Sequence, residues 1–437
     1  MASPRILAVR LLTKIEKESA YSALSLSALL RNCDFDDKRD TAFTSALVYG
    51  VLEHRIALDY NISCYLTDRI SKLKPLVLNI LRVGAFQILY MDKIPLSAAV
   101  NEAVNASKKL KVQYASGLIN AVLRKIGSNG LVLPDEADKL QWLSTKYSIN
   151  RDITEKLMSF YSRETVESFY NVFDGRRPIF IRHNTLKCTE EELVSSLLAE
   201  GVKVFHSDLD GCFILENTGD IAGLEAYNKG FFHVQDKSSQ LCCRLLDVKE
   251  GERVLDCCAA PGGKSFTLAQ YLKNKGNLYS CDVFEHKIKL IENGALRLGI
   301  SNLQTVPGDA RKLNKSFSGL DKVLCDVPCS GLGVIGRKPE IRYKSAEEFS
   351  QLPELQKEIL YSCAQTVKDG GALIYSTCTL NKDENESICD SFLNDFPEFS
   401  VSEDDYYRSL TDDYITVFPS VDGGDGFFIA KFIKGKK

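Results

Sequence analysis

The chain of 437 residues is 44% apolar and 26% charged, an ordinary globular composition that excludes disorder, collagen and a coiled-coil rod as descriptions of the whole. At about 150 residues per domain it has room for roughly three domains. Its longest apolar runs fall short of the ~18 residues that cross a bilayer, and Arg5, Arg10 and Lys14 interrupt the N-terminal stretch, so neither a membrane span nor a secretory signal is expected. The expectation is a cytoplasmic, monomeric protein. The net charge of -3 is unevenly spread: residues 1–130 hold 18 Lys+Arg against 11 Asp+Glu, a balance of 18 - 11 = +7, which leaves -10 for the rest. A basic first third on an acidic body fits a polyanion partner. The 14 cysteines include no C-x-x-C pair and the histidines (54, 183, 206, 233, 286) are scattered, so thiols are expected and a metal site is not.

In chain order, residues 1–130 read as all-helical, with apolar residues at helical spacing in TAFTSALVYGVLEHRIALDYNISCYL and PLVLNILRVGAFQILYM. Pro75 sits where a helix begins, and GSNG at 127–130 closes the region. Residues 131–232 are expected to hold linker helices and a small α/β module. PIFIRHNTL, VKVFHS and CFILE read as its strands, and TEEELVSSLLAEG as a helix with a Thr N-cap, an acidic first turn and a terminal Gly. Residues 233–437 alternate strand and helix, the pattern of a parallel, Rossmann-like sheet; the strands are RVLDCC, NLYSCD, LQTVPGD, KVLCD, GALIYST and GFFIAKFI.

The loop Cys258, Ala259, Ala260, Pro261, Gly262, Gly263, Lys264 follows the first of these strands and opens a helix. Its glycines admit a close ligand and the helix N-terminus favours anionic groups. It is not G-x-G-x-x-G, and its resemblance to a P-loop fails at Cys258 and Pro261. Asp282 ends the second strand, placed to accept from ribose hydroxyls, and Asp309 ends the third, placed to accept from an adenine amino group. Ribose and adenine recognition without a pyrophosphate loop points to S-adenosylmethionine.

Asp326-Val-Pro-Cys329 follows the fourth strand and Ser376-Thr-Cys378 the fifth, so both thiols face the ligand crevice at the carboxyl ends of the strands. A thiolate adding to carbon 6 of a cytosine makes carbon 5 nucleophilic toward a sulfonium methyl group. A carboxyl group such as that of Asp326 assists at ring nitrogen 3. A second thiol suits release. Spacing alone leaves open which thiol attacks.

LDCCAAPGGK, Asp282, Gly308-Asp309-Ala310, CDVPCSG and YSTCT followed by Glu384-Asn385-Glu386 together resemble the cytosine-5 RNA methyltransferases of the Nop2/Sun family, over roughly residues 170–435. That resemblance implies that Cys378 is the nucleophile, that Cys329 assists product release, and that Cys258–Lys264, Asp282, Asp309 and Asp326 contact the cofactor. DTAFTSALVYGVL, PLSAAVNEAV and SGLINAVLR in the first 126 residues resemble the helical RNA-binding fold of the antitermination factor NusB. The fusion implies small-subunit rRNA as substrate, with tRNA as the alternative of the same chemistry and a non-catalytic ribosome-assembly or antitermination factor as the alternative of another class. RNA contacts are expected from the basic first domain, from the small module, and from Arg337, Lys338, Arg342 and Tyr343 beside the Cys329 loop, where a base would stack.

Overall fold

The computed structural model describes residues 3–18, 38–173, 178–313, 317–420 and 424–436. The chain divides into two units, one formed by Met1–Asn171 with Arg337–Ala346, the other by Val172–Gly336 with Glu347–Lys437.

Helices account for the first unit. Pro4–Glu18, Lys38–Glu53, Arg55–Ser63, Pro75–Tyr90, Leu96–Lys109 and Ser116–Asn129 bury their apolar stripes in one core around Leu47, Leu58, Leu81, Ile119 and Leu123. Pro75 occupies the first turn of its helix, where a missing N–H costs nothing. The core also holds the Arg82 guanidinium, which grips Asp59 bidentately, at 2.6 and 2.7 Å, and pairs with Glu16. Such a pair specifies which helices meet, because either partner left alone would be a buried charge. Lys139–Tyr147, Arg151–Phe160 and Arg163–Asn171 extend this unit.

The second unit opens with a four-stranded antiparallel sheet, in the order β2 (Lys203–His206), β3 (Cys212–Glu216), β1 (Ile179–His183), β4 (Phe232–Val234). Its helix Glu190–Ala199 starts in a capping box between Thr189 and Glu192. The fourth strand, only three residues long, is too short to alternate visibly in sequence, so the sequence showed the module one strand short.

The larger sheet has the order β10 (Phe399–Val401), β12 (Phe427–Lys434), β9 (Val367–Thr377), β8 (Leu320–Asp326), β5 (Arg253–Asp256), β6 (Asn277–Asp282), β7 (Leu303–Pro307), with β11 (Ile415–Val417) pairing β12. β5 to β9 run parallel, as crossover helices require. The expectation of a parallel sheet fails at the C-terminal end: β12 lies antiparallel to β9, and β10 and β11 antiparallel to β12. Cys242, Cys243, Cys257, Cys281, Cys325, Cys363 and Cys389 are buried, filling the layers against this sheet as small apolar groups. Three of them, Cys257, Cys325 and Cys363, bring their sulfurs within 4.8 Å of one another from distant parts of the chain, a convergence that no sequence spacing displays. Among the described residues, no helix is long and apolar enough to cross a membrane.

Candidate active site

The loop between β5 and the helix Gly263–Tyr271 turns on Gly262, whose φ is +112°. A Cβ there would stand 2.4 Å from Cζ of Phe266, so glycine is required for both backbone and space. The backbone N–H of Ala260 donates to the Asp282 carboxylate at 3.3 Å, and that of Phe284 donates to it at 3.0 Å, which ties the loop to the end of β6. Behind the loop, Asp256 is buried and takes a hydrogen bond from Ser265 at 2.7 Å; burial pushes its carboxyl up to about 7.

In front of the loop opens a cavity of about 470 Å³, lined by Cys257, Cys258, Asp282, Phe284, Gly308, Asp309 and Pro328 among others. Its walls are mainly apolar with two carboxylates at strand ends, a lining that suits a nucleoside-sized ligand. Both oxygens of Asp309 face Arg311, at 2.7 Å for the closest contact. A carboxylate has about four acceptor sites, so Asp309 retains capacity for a further donor while its charge is balanced.

β8 and β9 are neighbours, and each carries a cysteine just beyond its end. Cys329 Sγ lies 3.3 Å from Cys378 Sγ. The hydrogen bond to Cys378 and then burial push the Cys329 thiol well above its ordinary range. Asp326, at the end of β8, accepts from Lys264 Nζ at 2.7 Å and from Ser376 Oγ at 2.8 Å. Burial works against the charge on Lys264, but the Asp326 carboxylate more than compensates and holds that ammonium well above its usual range. The cofactor loop and the ends of β8 and β9 are thereby hydrogen-bonded into one assembly at Asp326, with the thiol pair in the loops that follow those two strands. Sequence reading found its members but not the Lys264–Asp326 pair or the part played by Ser376, which only the strand pairing places opposite Asp326.

The structure does not place Arg342 and Tyr343 for base stacking. The chain leaves the second unit after Gly336, and Arg337–Ala346 belong to the helical one. There the Arg342 guanidinium donates to the carbonyls of Glu53 and Tyr147 at 3.0 and 3.2 Å. The Arg55 guanidinium lies 3.8 Å from the centre of the Tyr343 ring, and the Tyr343 hydroxyl donates to Leu52. One charged side chain and one aromatic face are thus consumed in packing, and the expected stacking platform is corrected to a structural anchor.

Comparisons with known proteins agree with this architecture. The family described as 16S rRNA methyltransferase RsmB/F matches residues 243–433, and the NusB family matches residues 2–128. A probable ribosomal RNA small subunit methyltransferase B of Bacillus subtilis (strain 168) is 35% identical over 99% of this chain and 99% of its own length. A ribosomal RNA small subunit methyltransferase B of Proteus mirabilis (strain HI4320) is 31% identical over 93% of this chain and 94% of its own. Among solved structures, the crystal structure of PH0851 superposes with a TM-score of 0.81 at 27% identity, covering 100% of this chain and 99% of that one.

Proposed function

The chain belongs to the 16S rRNA methyltransferase RsmB/F family, and from that premise we propose that it methylates carbon 5 of a cytidine in small-subunit rRNA through a covalent cysteine adduct. The observation that carries this reading is the thiol pair, 3.3 Å apart just beyond the ends of adjacent parallel strands, the same ends that bring Asp326 and Ser376 together. S-adenosylmethionine supplies the electrophilic methyl group when bound. Cys258–Lys264, Asp282 and Asp309 are the residues to hold it: Cys258 and the two aspartates line a cavity of nucleoside size, and the rest of the loop continues from Cys258.

The chain's own groups divide the chemistry. Cys378 adds as a thiolate to carbon 6 of the ring, which makes carbon 5 the nucleophile. Asp326 assists at ring nitrogen 3 by sharing or transferring a proton there as negative charge develops on the ring, and Lys264 and Ser376 hold its two oxygens in place. After transfer, a water molecule takes the proton from carbon 5, the C–H electron pair restores the carbon 5–carbon 6 double bond, and the Cys378–carbon 6 bond breaks to release the thiolate. Cys329 assists that release as the protonated neighbour of the leaving sulfur. The target base leaves its stack to reach the thiols.

The basic helical unit supplies phosphate contacts, so binding weakens steeply with salt. Two cation–aromatic pairs on it suit a nucleic acid: Lys74 with Tyr114 at 5.2 Å, where Tyr114 is 65% exposed, and Lys125 with the half-buried Tyr65 at 5.9 Å. The small antiparallel sheet, with Phe205 exposed, guides the strand. The enzyme acts in the cytoplasm as a monomer.

The test is methyl transfer from labelled S-adenosylmethionine to unmodified small-subunit rRNA, with tRNA in parallel and the product mapped by bisulfite sequencing. One protected rRNA cytosine is expected. Cys378→Ala should abolish both turnover and adduct, and Cys329→Ala should accumulate a protein–RNA adduct. Transfer to tRNA alone would overturn the rRNA assignment; normal turnover by Cys378→Ala would overturn the choice of nucleophile.

A further inference from the structure

A buried polar cluster links the two cysteine loops, and the reaction steps above do not use it. Glu384 is fully buried. Its carboxylate accepts three hydrogen bonds, all from N–H groups: Ser330 N at 2.9 Å, Gln356 Nε2 at 2.9 Å and Asn381 Nδ2 at 2.8 Å. Ser330 directly follows Cys329, and Asn381 lies just beyond Cys378. Gln356, on the helix Leu352–Ala364, also donates to the carbonyl of Pro328, the residue before Cys329. Next to Glu384, Asn385 accepts from Thr377 at 2.7 Å and donates to the carbonyl of Thr379 at 3.0 Å, so it clasps Cys378 from both sides. The hydroxyls of Ser330 and Thr379 meet at 2.7 Å, closing the link between the loops.

Burying a carboxylate among neutral donors costs more than burying an apolar residue of the same volume. What it achieves here is geometric. Both oxygens are needed, because a neutral amide at this place would set its own N–H₂ against at least one of the three donors. We propose that Glu384 is a positioning residue for methyl transfer, fixing the Cys329 and Cys378 loops at the separation where one thiol adds and the other serves release. This rests on the reading that both thiols act on the cytidine. A second consequence is electrostatic: after the hydrogen bond to Cys378, burial and the Cys378 charge, the negative charge of Glu384 adds to what keeps Cys329 protonated.

The experiment uses the full chain with Glu384→Gln. The variant should bind S-adenosylhomocysteine and unfold like the wild type. Its kcat on the RNA substrate should fall at least 30-fold with KM for RNA within twofold. Alkylation of Cys329 by iodoacetamide, followed by peptide mass spectrometry across pH without RNA, should shift to lower pH as the charge is lost; a purely structural role would leave that profile in place. A kcat within threefold of wild type, or an unmoved Cys329 profile in a folded variant, overturns the proposal. If Glu384→Gln does not fold, Asn381→Ala and Gln356→Met each remove one donor and should lower kcat about tenfold at constant KM; unchanged kcat in both would overturn it equally. Should the wild type methylate no RNA, the cytidine reading fails by itself, and the alkylation profile alone decides whether Glu384 governs the loops.

Discussion

His233 offers the sharpest link between pH and the cofactor loop. It lies on β4, buried, with Nε2 3.2 Å from the carbonyl of Gly263 and 3.3 Å from Thr267 Oγ1. The Thr267 hydroxyl donates to Gln235 and therefore accepts from the imidazole, so Nε2 carries the proton. Nδ1 has no hydrogen-bond partner among the described residues. A second proton would thus enter a site without an acceptor, and burial, then Arg182 and Arg297, hold the pKa down at about 3. The sign follows: the folded chain keeps the ring neutral while the unfolded chain protonates it from 6.5 downward, so stability is present above 6.5 and lost as pH falls toward 3. Linkage puts the loss at roughly 2 kcal/mol at pH 5 and roughly 3 kcal/mol at pH 4. Because the ring holds the first turn of the helix that the cofactor loop opens, affinity for S-adenosylhomocysteine should fall over the same range. The perturbation is His233→Gln, which removes the titration and keeps a donor. Urea unfolding of both proteins between pH 7 and pH 4, followed by circular dichroism, gives the difference; the single tryptophan, Trp142, lies in the helical unit and would not report it. Wild-type stability should fall more steeply than that of the variant by roughly 2 kcal/mol at pH 5. Parallel pH dependences would refute the reasoning.

Two further predictions concern the cofactor loop. Gly262→Ala places a methyl group 2.4 Å from Phe266 Cζ at a φ of +112°, a strain of about 2 kcal/mol or more; S-adenosylhomocysteine should bind at least tenfold more weakly by calorimetry, and an affinity within twofold of wild type would show that the loop need not hold this turn. Lys264→Met removes the partner of Asp326, where the two side chains are 13% and 27% exposed. Breaking a buried pair costs 3–5 kcal/mol, and the residual exposure reduces this to about 2 kcal/mol. Single-turnover methyl transfer should slow roughly 30-fold, and a rate within threefold of wild type would mean that Asp326 needs no cation.

The site was legible in the sequence to the extent that its residues are local to strand ends. Cys258–Lys264, Asp282, Asp309, Asp326 and Cys329 each sit at the end of a strand or within three residues of the start of the loop that follows it, apart from the far end of the cofactor loop, and the parallel sheet then aligns those ends on one edge. What the sequence could not display is the pairing across strands. That Ser376 faces Asp326 follows from the register of β8 on β9, and that Gln356 reaches both Pro328 and Glu384 follows from how one helix lies on the sheet. Likewise β12 was legible as a strand but its direction was not, because an apolar alternation is the same read in either sense; the antiparallel return comes from the connection before it, through β10 and β11.

Adjacency in sequence misled most at residues 337–343. Two cations, a further arginine and a tyrosine within a few residues of a catalytic-type cysteine invite an RNA-contact reading, since such side chains are costly to bury. The structure meets that cost locally: carbonyls of Glu53 and Tyr147 take the Arg342 guanidinium, the backbone N–H of Asn150 donates to the Arg342 carbonyl at 2.7 Å, and Arg55 covers the Tyr343 ring. Arg342 and Tyr343 are thus held by helices of the first unit. Half of what looked like a ligand surface, Arg342 and Tyr343, is therefore accounted for by the hydrogen bonds and the cation–aromatic contact that hold residues 337–346 within the helical unit.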